Sequence, residues 1–350
     1  MAMKTKLGSL TPPNVVPTNT RSLPSRPRMS RATAVFAVTA VAVVTGGCKR
    51  VTEPAGRTTA GSATLPASAA SVSSFPTKES LLAVWGTSRD DVWAVGDKGV
   101  IVHFDGRVWK LSESGTKKNL SGVRGTGAAD VWAVGEAGTV LHFDGNKWAL
   151  VNEATETQLL AVWASGPKDV WVSGSDDDNG YLSHYDGKRW EDAHIGATSL
   201  WEAWGSSSTD VWMVGSDRTG GGFVLHGDGK HFDRTPFEGS ALRGVWGTAK
   251  NDVWVATYTG ELYHWNGTAW NKADTPAHHE LLCVAGSIAT DVWAVGYQGN
   301  VLHYDGHAWS LRSLDSKEYL WSVWASAPDD AWVVGTNATA EHWDGHRWNR

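Results

Sequence analysis

From residue 81 onward, apolar positions alternate with small or polar ones in short runs separated by Gly, Asp, Asn and Ser. Runs of that length and period read as β-strands rather than helices. Between Leu120 and Gln158 four of them follow one another: Leu-Ser-Gly-Val-Arg-Gly, Asp-Val-Trp-Ala-Val-Gly, Thr-Val-Leu-His-Phe and Lys-Trp-Ala-Leu-Val. The first gap ends at Asp130, a carboxylate suited to accept backbone N–H groups of its turn. The second, Gly135 to Gly138, suits a tight hairpin needing positive φ. The third holds Asp144-Gly145, a strong hairpin signal. Four strands, up and down, within about 40 residues make one blade of a β-propeller.

The pattern recurs seven times. Asp-Val-Trp-Ala-Val-Gly is intact at Asp91, Asp130 and Asp291, and edited at Asp169, Asp210, Asp252 and Asp330. Each copy lies ten residues after a leucine, and Leu81, Leu120, Leu159, Leu200, Leu242, Leu281 and Leu320 are spaced by 39, 39, 41, 42, 39 and 39. The repeats run 81–119, 120–158, 159–199, 200–241, 242–280, 281–319 and 320–350. A period near 40 signifies repeat architecture. An open solenoid needs polar, atypical end repeats, yet the first and seventh repeats keep the Trp, His and Asp-Gly positions of the middle ones. The expected fold is therefore all-β: a closed seven-bladed β-propeller of four-stranded antiparallel blades. Repeat seven carries its own fourth strand up to Trp348, so no strand exchange is needed, unless Val72 to Phe75 adds a strand to the last blade.

Tryptophan supplies the core. Of 22 in the chain, 18 fall into three columns. The first strand holds Trp85, Trp163, Trp204, Trp246 and Trp324; the second holds Trp93, Trp132, Trp171, Trp212, Trp254, Trp293 and Trp332; the fourth holds Trp109, Trp148, Trp190, Trp270, Trp309 and Trp348. Large flat side chains in register fill the wedges between blades, and the columns read as packing rather than as sugar platforms.

The series Leu-x-x-Val-Trp-Gly, Asp-Val-Trp-Ala-Val-Gly, Val-Leu-His-Phe, Trp resembles tectonin-type β-propeller repeats. Asp-Gly-x-x-Trp is similar to the Asp-box (BNR-like) motif of sialidase-like propellers, and the architecture is WD40-like. The resemblance covers Leu81 to Arg350. Likeness to tectonins implies ligand binding, often to bacterial surface glycans; likeness to the Asp-box implies the fold alone.

Residues 1–80 have a different composition. Met1 to Ser30 is rich in Pro, Ser, Thr, Asn and Arg and has no acidic residue, which reads as unstructured. Ala32 to Val44 is an apolar run behind Arg31, ending Thr45-Gly46-Gly47-Cys48. That is the form of a secretory signal, too short for a membrane span. The Cys after two glycines resembles the lipobox of bacterial lipoproteins, which implies acylation of Cys48 after cleavage; ordinary secretion and a fortuitous apolar stretch are the alternatives. Translation from Met29 would give a signal of ordinary length. Residues 1–47 are thus read as the signal region and 48–80 as an Ala, Ser, Thr and Pro tether behind the lipidated Cys48. The expected location is the bacterial cell envelope, as a lipoprotein of the outer membrane in preference to the inner.

Charge narrows the partners. The chain has 31 basic and 37 acidic residues, and six of the basic ones but none of the acidic ones precede Cys48, leaving 25 against 37, a net charge of −12 after cleavage. Such a surface repels phosphate backbones, so nucleic acid is not expected as a partner. With Cys48 acylated, Cys283 has no partner for a disulfide, and Leu-Leu-Cys-Val-Ala-Gly reads as a buried strand in which Cys is a small hydrophobe.

Seven histidines, His103, His142, His184, His226, His264, His303 and His342, share one repeat position. Residues repeated in every blade lie apart around a ring and cannot converge on a metal or a substrate. They are read as structural, hydrogen-bonded within each blade to Asp91, Asp130, Asp169, Asp210, Asp252, Asp291 and Asp330.

A site must lie where repeats differ. The hairpin from the second to the third strand is lengthened in blade three (Ser175 to Asn179) and blade four (Ser216 to Gly221). Ser175, Asp177 and Asn179 alternate as oxygen donors before Gly180, a candidate calcium loop against the alternative of a solvated acidic loop. No other cofactor is expected. On the first strand, position two reads Leu82, Ser121, Leu160, Trp201, Arg243, Leu282, Trp321, and position three is small in six blades but is Glu202 in blade four. Arg124 replaces the first-column Trp in blade two. Arg124, Trp201, Glu202, Arg243 and Trp321 are therefore the candidate ligand-binding residues at the channel mouth, and a water-satisfied variant of the repeat is the alternative for each. The expected role is a monomeric, membrane-anchored, non-catalytic propeller that binds a glycan or an envelope protein. The alternatives are a sialidase-like glycoside hydrolase or lyase on the same ring, for which few convergent groups are present, and a scaffold in an envelope assembly.

Overall fold

The computed structural model describes residues 75–152, 157–176, 179–194, 199–276 and 279–350. Cys48, the signal region and most of the tether lie outside the described residues, as does Asp177 of the calcium candidate; the side chain of Asn179 is also outside them.

Seven four-stranded antiparallel sheets follow one another, each built from consecutive strands. In blade one the strands are Leu81–Ser88, Asp91–Gly96, Ile101–Phe104 and Trp109–Ser112. Trp85 pairs with Trp93, Trp93 with His103 and His103 with Lys110, so one row crosses the sheet. The first strands abut in sequence around an axis, and Leu81–Ser88 abuts Leu320–Ala327, which closes the ring. At that closure the Val84 N–H donates to Ser322 Oγ at 3.2 Å. Blade seven ends on its own fourth strand, Trp348–Asn349. Phe75, the described end of the stretch considered for strand exchange, packs its ring 5.8 Å from that of Trp109 in blade one.

The tryptophan columns lock each blade to the next. The second-strand indole of one blade meets the fourth-strand ring of the following blade edge-on: Trp93 with Trp148 at 5.4 Å, Trp254 with Trp309 at 5.2 Å, Trp293 with Trp348 at 5.5 Å. In blade four Phe232 stands in for the fourth-strand Trp and receives Trp171 at 5.3 Å. Trp332 of blade seven meets Trp109 of blade one at 5.0 Å, so the same contact seals the ring. Edge-to-face geometry is the favoured arrangement for such rings.

First-strand tryptophans follow a second rule. A Cβ at Gly125 would lie 2.8 Å from Trp85, at Gly205 2.5 Å from Trp163, at Gly247 2.9 Å from Trp204, at Gly286 2.8 Å from Trp246 and at Gly86 2.9 Å from Trp324. Each indole thus lies over a glycine of the next blade. Where the column holds Arg124 or Ala285 instead, the next blade carries Ala164 or Ala325 at the glycine position. A Cβ at these glycines would also crowd the carbonyl oxygen of the second-strand aspartate, at 2.2 to 2.7 Å, but alanine stands at this position only where no indole covers it.

The hairpins explain the remaining glycines. Gly106, after Asp105, has φ 82°, and Asp105 Oδ1 accepts the N–H groups of Arg107 and Val108 at 3.1 and 3.0 Å. The glycine ending the second strand has a different reason. A Cβ at Gly135 would sit 1.9 Å from the Asn119 carbonyl oxygen; positive φ falls instead on Ala137 and Gly138 in the one-turn 3-10 segment Glu136–Gly138. Blade five has Thr257 at that glycine position, and its Oγ1 accepts the Glu261 N–H at 2.9 Å in a hairpin of different shape. In blade three the lengthened hairpin extends the ladder, with Asp169–Asp176 paired to Asn179–Tyr185. In blade four Asp217 Oδ1 caps the turn, accepting from Thr219 and Gly221.

Candidate functional site

The repeated histidines and aspartates form seven separate networks. His Nε2 donates to Asp Oδ1 at 2.6 Å in blade one, 2.8 Å in blade two, 2.6 Å in blade three, 2.8 Å in blade four, 2.5 Å in blade five, 2.7 Å in blade six and 2.6 Å in blade seven. The second carboxylate oxygen takes a hydroxyl from the end of the first strand: Thr87, Thr126, Ser165, Ser206, Thr248, Ser287 or Ser326. The aspartate therefore bonds side chains rather than the backbone of its turn. Each His ring also stacks on the second-strand Trp, from 3.7 Å between centroids in blade four to 4.7 Å in blade seven. In blades two, four and six the indole N–H of Trp132, Trp212 and Trp293 joins the same carboxylate. At Asp130, Asp252 and Asp330 burial acts to raise the carboxyl pKa, but the His and hydroxyl donors outweigh it and hold the group below its ordinary value. Every member of these networks is consumed inside its blade. Among the described residues no three His, Cys, Asp or Glu side chains gather as a metal site.

The axial channel is different. A cavity of about 280 Å³ is lined by first-strand residues of all seven blades, and Arg124, Trp201, Glu202, Arg243 and Trp321 are among them. The structure thus brings together five of the residues at which the first strand departs from its repeat. Arg243 packs against two rings: its Cζ lies 3.6 Å from the Trp201 ring centroid and 4.8 Å from that of Tyr258. The Trp201 indole N–H donates to Ser216 Oγ at 3.3 Å, which helps to fix the ring against Arg243. Burial lowers the Arg243 pKa from its ordinary value, and the facing phenols of Tyr258 and Tyr297 work against that.

Three tyrosines join these residues, and the sequence pattern did not mark them. Tyr297 contacts Tyr258 at 6.2 Å, Tyr319 at 4.5 Å and Trp321 at 6.5 Å, all edge-on. Tyr258 and Tyr297 follow the second strand of blades five and six, where other blades have Asp97, Glu136, Ser175, Ser216 and Thr336. Tyr319 precedes the first strand of blade seven. These positions meet at the same mouth because the residue after each second strand bonds back to the residue before the first, as Tyr297 N–H does to the Glu280 carbonyl at 3.1 Å. Two tyrosines in successive repeats at one variable position are the signal that could have found them. Burial, followed by the Tyr258 hydroxyl, pushes the Tyr297 phenol up to about 12.

Deeper in the channel lies a charged cluster. Glu202 is enclosed by protein except where it meets the channel space, and this desolvation pushes its carboxyl up to about 6 against the opposing pull of Arg124. The Ala203 N–H reaches Glu202 Oε1 at 3.4 Å. Cys283 lies nearby in the wall; burial first, and the Glu202 charge second, push its thiol up to about 12. Such a thiol is protonated and unreactive. Glu202 is the one carboxylate among the described lining residues, and hydrolysis by a pair of carboxylates needs a second.

No protein-family model matches the chain, and no curated protein does. Solved structures share its fold. YCF48 bound to D1 peptide is 18% identical with a TM-score of 0.62, over 77% of this chain and 93% of that one. YCF48 from Cyanidioschyzon merolae gives 18% and 0.62, over 77% and 97%. The WD40 β-propeller domain of Doa1 gives 12% and 0.63, over 75% and 92%. At these identities the likeness establishes the propeller fold.

Proposed function

We propose that the chain is a non-catalytic binding propeller that receives a segment of a partner protein at the channel mouth formed by Trp201, Arg243, Tyr258, Tyr297, Tyr319 and Trp321. The observation that carries this reading is the packing of Arg243 against Trp201 and Tyr258 with the adjoining tyrosines, a concentration of aromatic and guanidinium groups typical of binding hot spots. A peptide complex is known for the like-folded YCF48, which favours a protein ligand over a glycan. The flat Trp201 face that a sugar ring would need is also covered on one side by Arg243.

In this reading the chain works at the bacterial cell envelope, held there by a lipid on Cys48 and a tether up to residue 80. The lipobox-like cysteine supports that placement. The tectonin-type pattern supports a surface ligand, and a glycan remains the second class to test. Purified full-length protein applied to peptide and glycan arrays, with a parallel turnover assay on the glycans, decides among them. Binding to peptides that is lost in Trp321→Ala supports the proposal. Turnover of a glycan, or binding indifferent to Trp321, overturns it.

A further inference from the structure

Taking the channel mouth as the binding site, we infer that it receives a carboxylate carried by a peptide, with Arg243 as the countercharge. Arg243 makes no ion pair with any described carboxylate, and the groups that bear on its charge are Tyr258 and Tyr297. Its Nε is buried without a hydrogen-bond partner. A cation placed so, with an unused donor, is costly unless a partner arrives from outside. The Trp201 ring at 3.6 Å and the Tyr258 ring at 4.8 Å both pack against the guanidinium. Cation–π contact uses the face of a guanidinium, whereas its in-plane N–H fork is the part that binds a carboxylate through two parallel hydrogen bonds. The stacking also fixes the fork before the ligand comes, so little ordering remains to be done on binding.

The rest of the mouth selects a peptide over a sugar. Tyr297 meets Tyr319 at 69° and Trp321 at 74°, and Tyr319 meets Trp321 at 88°. Rings at such angles make a notch lined by edges and hydroxyls, suited to an apolar side chain, and no coplanar platform for a pyranose.

The carboxylate can come from a chain terminus or from an Asp or Glu side chain, and hexapeptide arrays separate the two. One set has free C-termini and no acidic residue, a second has amidated C-termini and one Asp or Glu, and a third is amidated and neutral. Full-length protein is expected to bind the first or the second set and to bind the third at least about tenfold more weakly, the weight of one hydrogen-bonded charge. Arg243→Gln should erase the difference between acidic and neutral peptides, whereas Arg243→Lys should keep it with weaker binding overall. Neutral peptides that bind as well as acidic ones, and lose binding in Trp321→Ala, overturn the carboxylate inference while the mouth stands as the binding site. Acidic peptides that bind Arg243→Gln undiminished overturn it as well. Binding confined to a companion array of uronic-acid oligosaccharides, or to no array, overturns both readings. If Arg243→Gln fails to fold, the comparison of acidic with neutral peptides on the unaltered protein decides alone.

Discussion

Asp291 Oδ1 accepts the His303 Nε2–H at 2.7 Å while the Asp291 side chain is shut off from solvent. The same carboxylate takes Ser287 Oγ at 2.6 Å and the Trp293 indole N–H at 3.0 Å. Asp291 is thus the junction of three strand segments in blade six, and its removal strands three donors in the core. Asp291→Ala is expected to cost about 3 to 5 kcal/mol. Thermal or urea unfolding measures it, and a loss below about 1 kcal/mol would show the network to be dispensable.

Acid should unfold the ring. Asp130, Asp252 and Asp330 titrate below their ordinary value of 3.8 when folded, and unfolding returns them to it. Between the two values the unfolded chain binds more protons, so the stability they give is full above 3.8 and is lost as pH falls through the depressed values. Exposed hairpin carboxylates act in the same direction, such as Asp344, held down to about 2 by the Arg347 N–H and the Asn349 amide. The midpoint of thermal unfolding is expected to fall steeply below about pH 4. A flat midpoint from pH 5 to pH 3 would contradict the networks.

Glu202 has the opposite sign. Its carboxyl rises from 4.5 to about 6 on folding, so folding favours the protonated form and is opposed as pH climbs from 4.5 to 6. Glu202→Gln should therefore raise stability at pH 7, by about 1 to 2 kcal/mol, and change little at pH 4. Unfolding of the variant and its parent at both values tests this. Equal effects at the two pH values would mean that the side chain matters for packing and not for charge.

Two tryptophans should behave differently. Trp132 is 2% exposed, stacks on His142 and donates to Asp130, so Trp132→Ala should cost about 3 to 5 kcal/mol. Trp321 lines the channel, is half-buried and lies edge-on to Tyr297 and Tyr319 at 6.5 Å; Trp321→Ala should cost less than about 1 kcal/mol and weaken ligand binding. Equal destabilisation would make Trp321 part of the core.

The Trp85 and Gly125 pair should show coupling across blades. Gly125→Ala brings a methyl within 2.3 Å of the Asp130 carbonyl oxygen and 2.8 Å of the indole and should cost about 1 to 3 kcal/mol. In a Trp85→Ala background the same change should cost at least about 0.5 kcal/mol less. Additive effects in a double-mutant cycle would show that Gly125 is needed for its backbone alone.

Much of this molecule was legible because a propeller repeats its instructions. The leucine spacing marked the blades, and Asp-Val-Trp-Ala-Val-Gly marked the second strands. Departures from the repeat on the first strand marked Trp201, Glu202, Arg243 and Trp321. What stayed hidden is contact between repeats. Trp201 and Arg243 occupy the same position in adjacent blades, and nothing in one dimension says that one will cover the other at 3.6 Å. Tyr258, Tyr297 and Tyr319 sit in hairpins and linkers, where variation is ordinary, and become part of the mouth only because those segments bond to one another beside the axis.

The indole and glycine pairing gives each blade an address. Excising blade three would set Arg124 before Gly205 and leave a slot unfilled, whereas excising blade two would drive the Trp85 indole against the methyl of Ala164. Blades of this ring are therefore not interchangeable parts, despite their common sequence pattern. Circular permutation is the rearrangement they should tolerate: joining Arg350 to Leu81 through a short linker and opening the ring between any other two blades keeps every neighbour, and with it every pair.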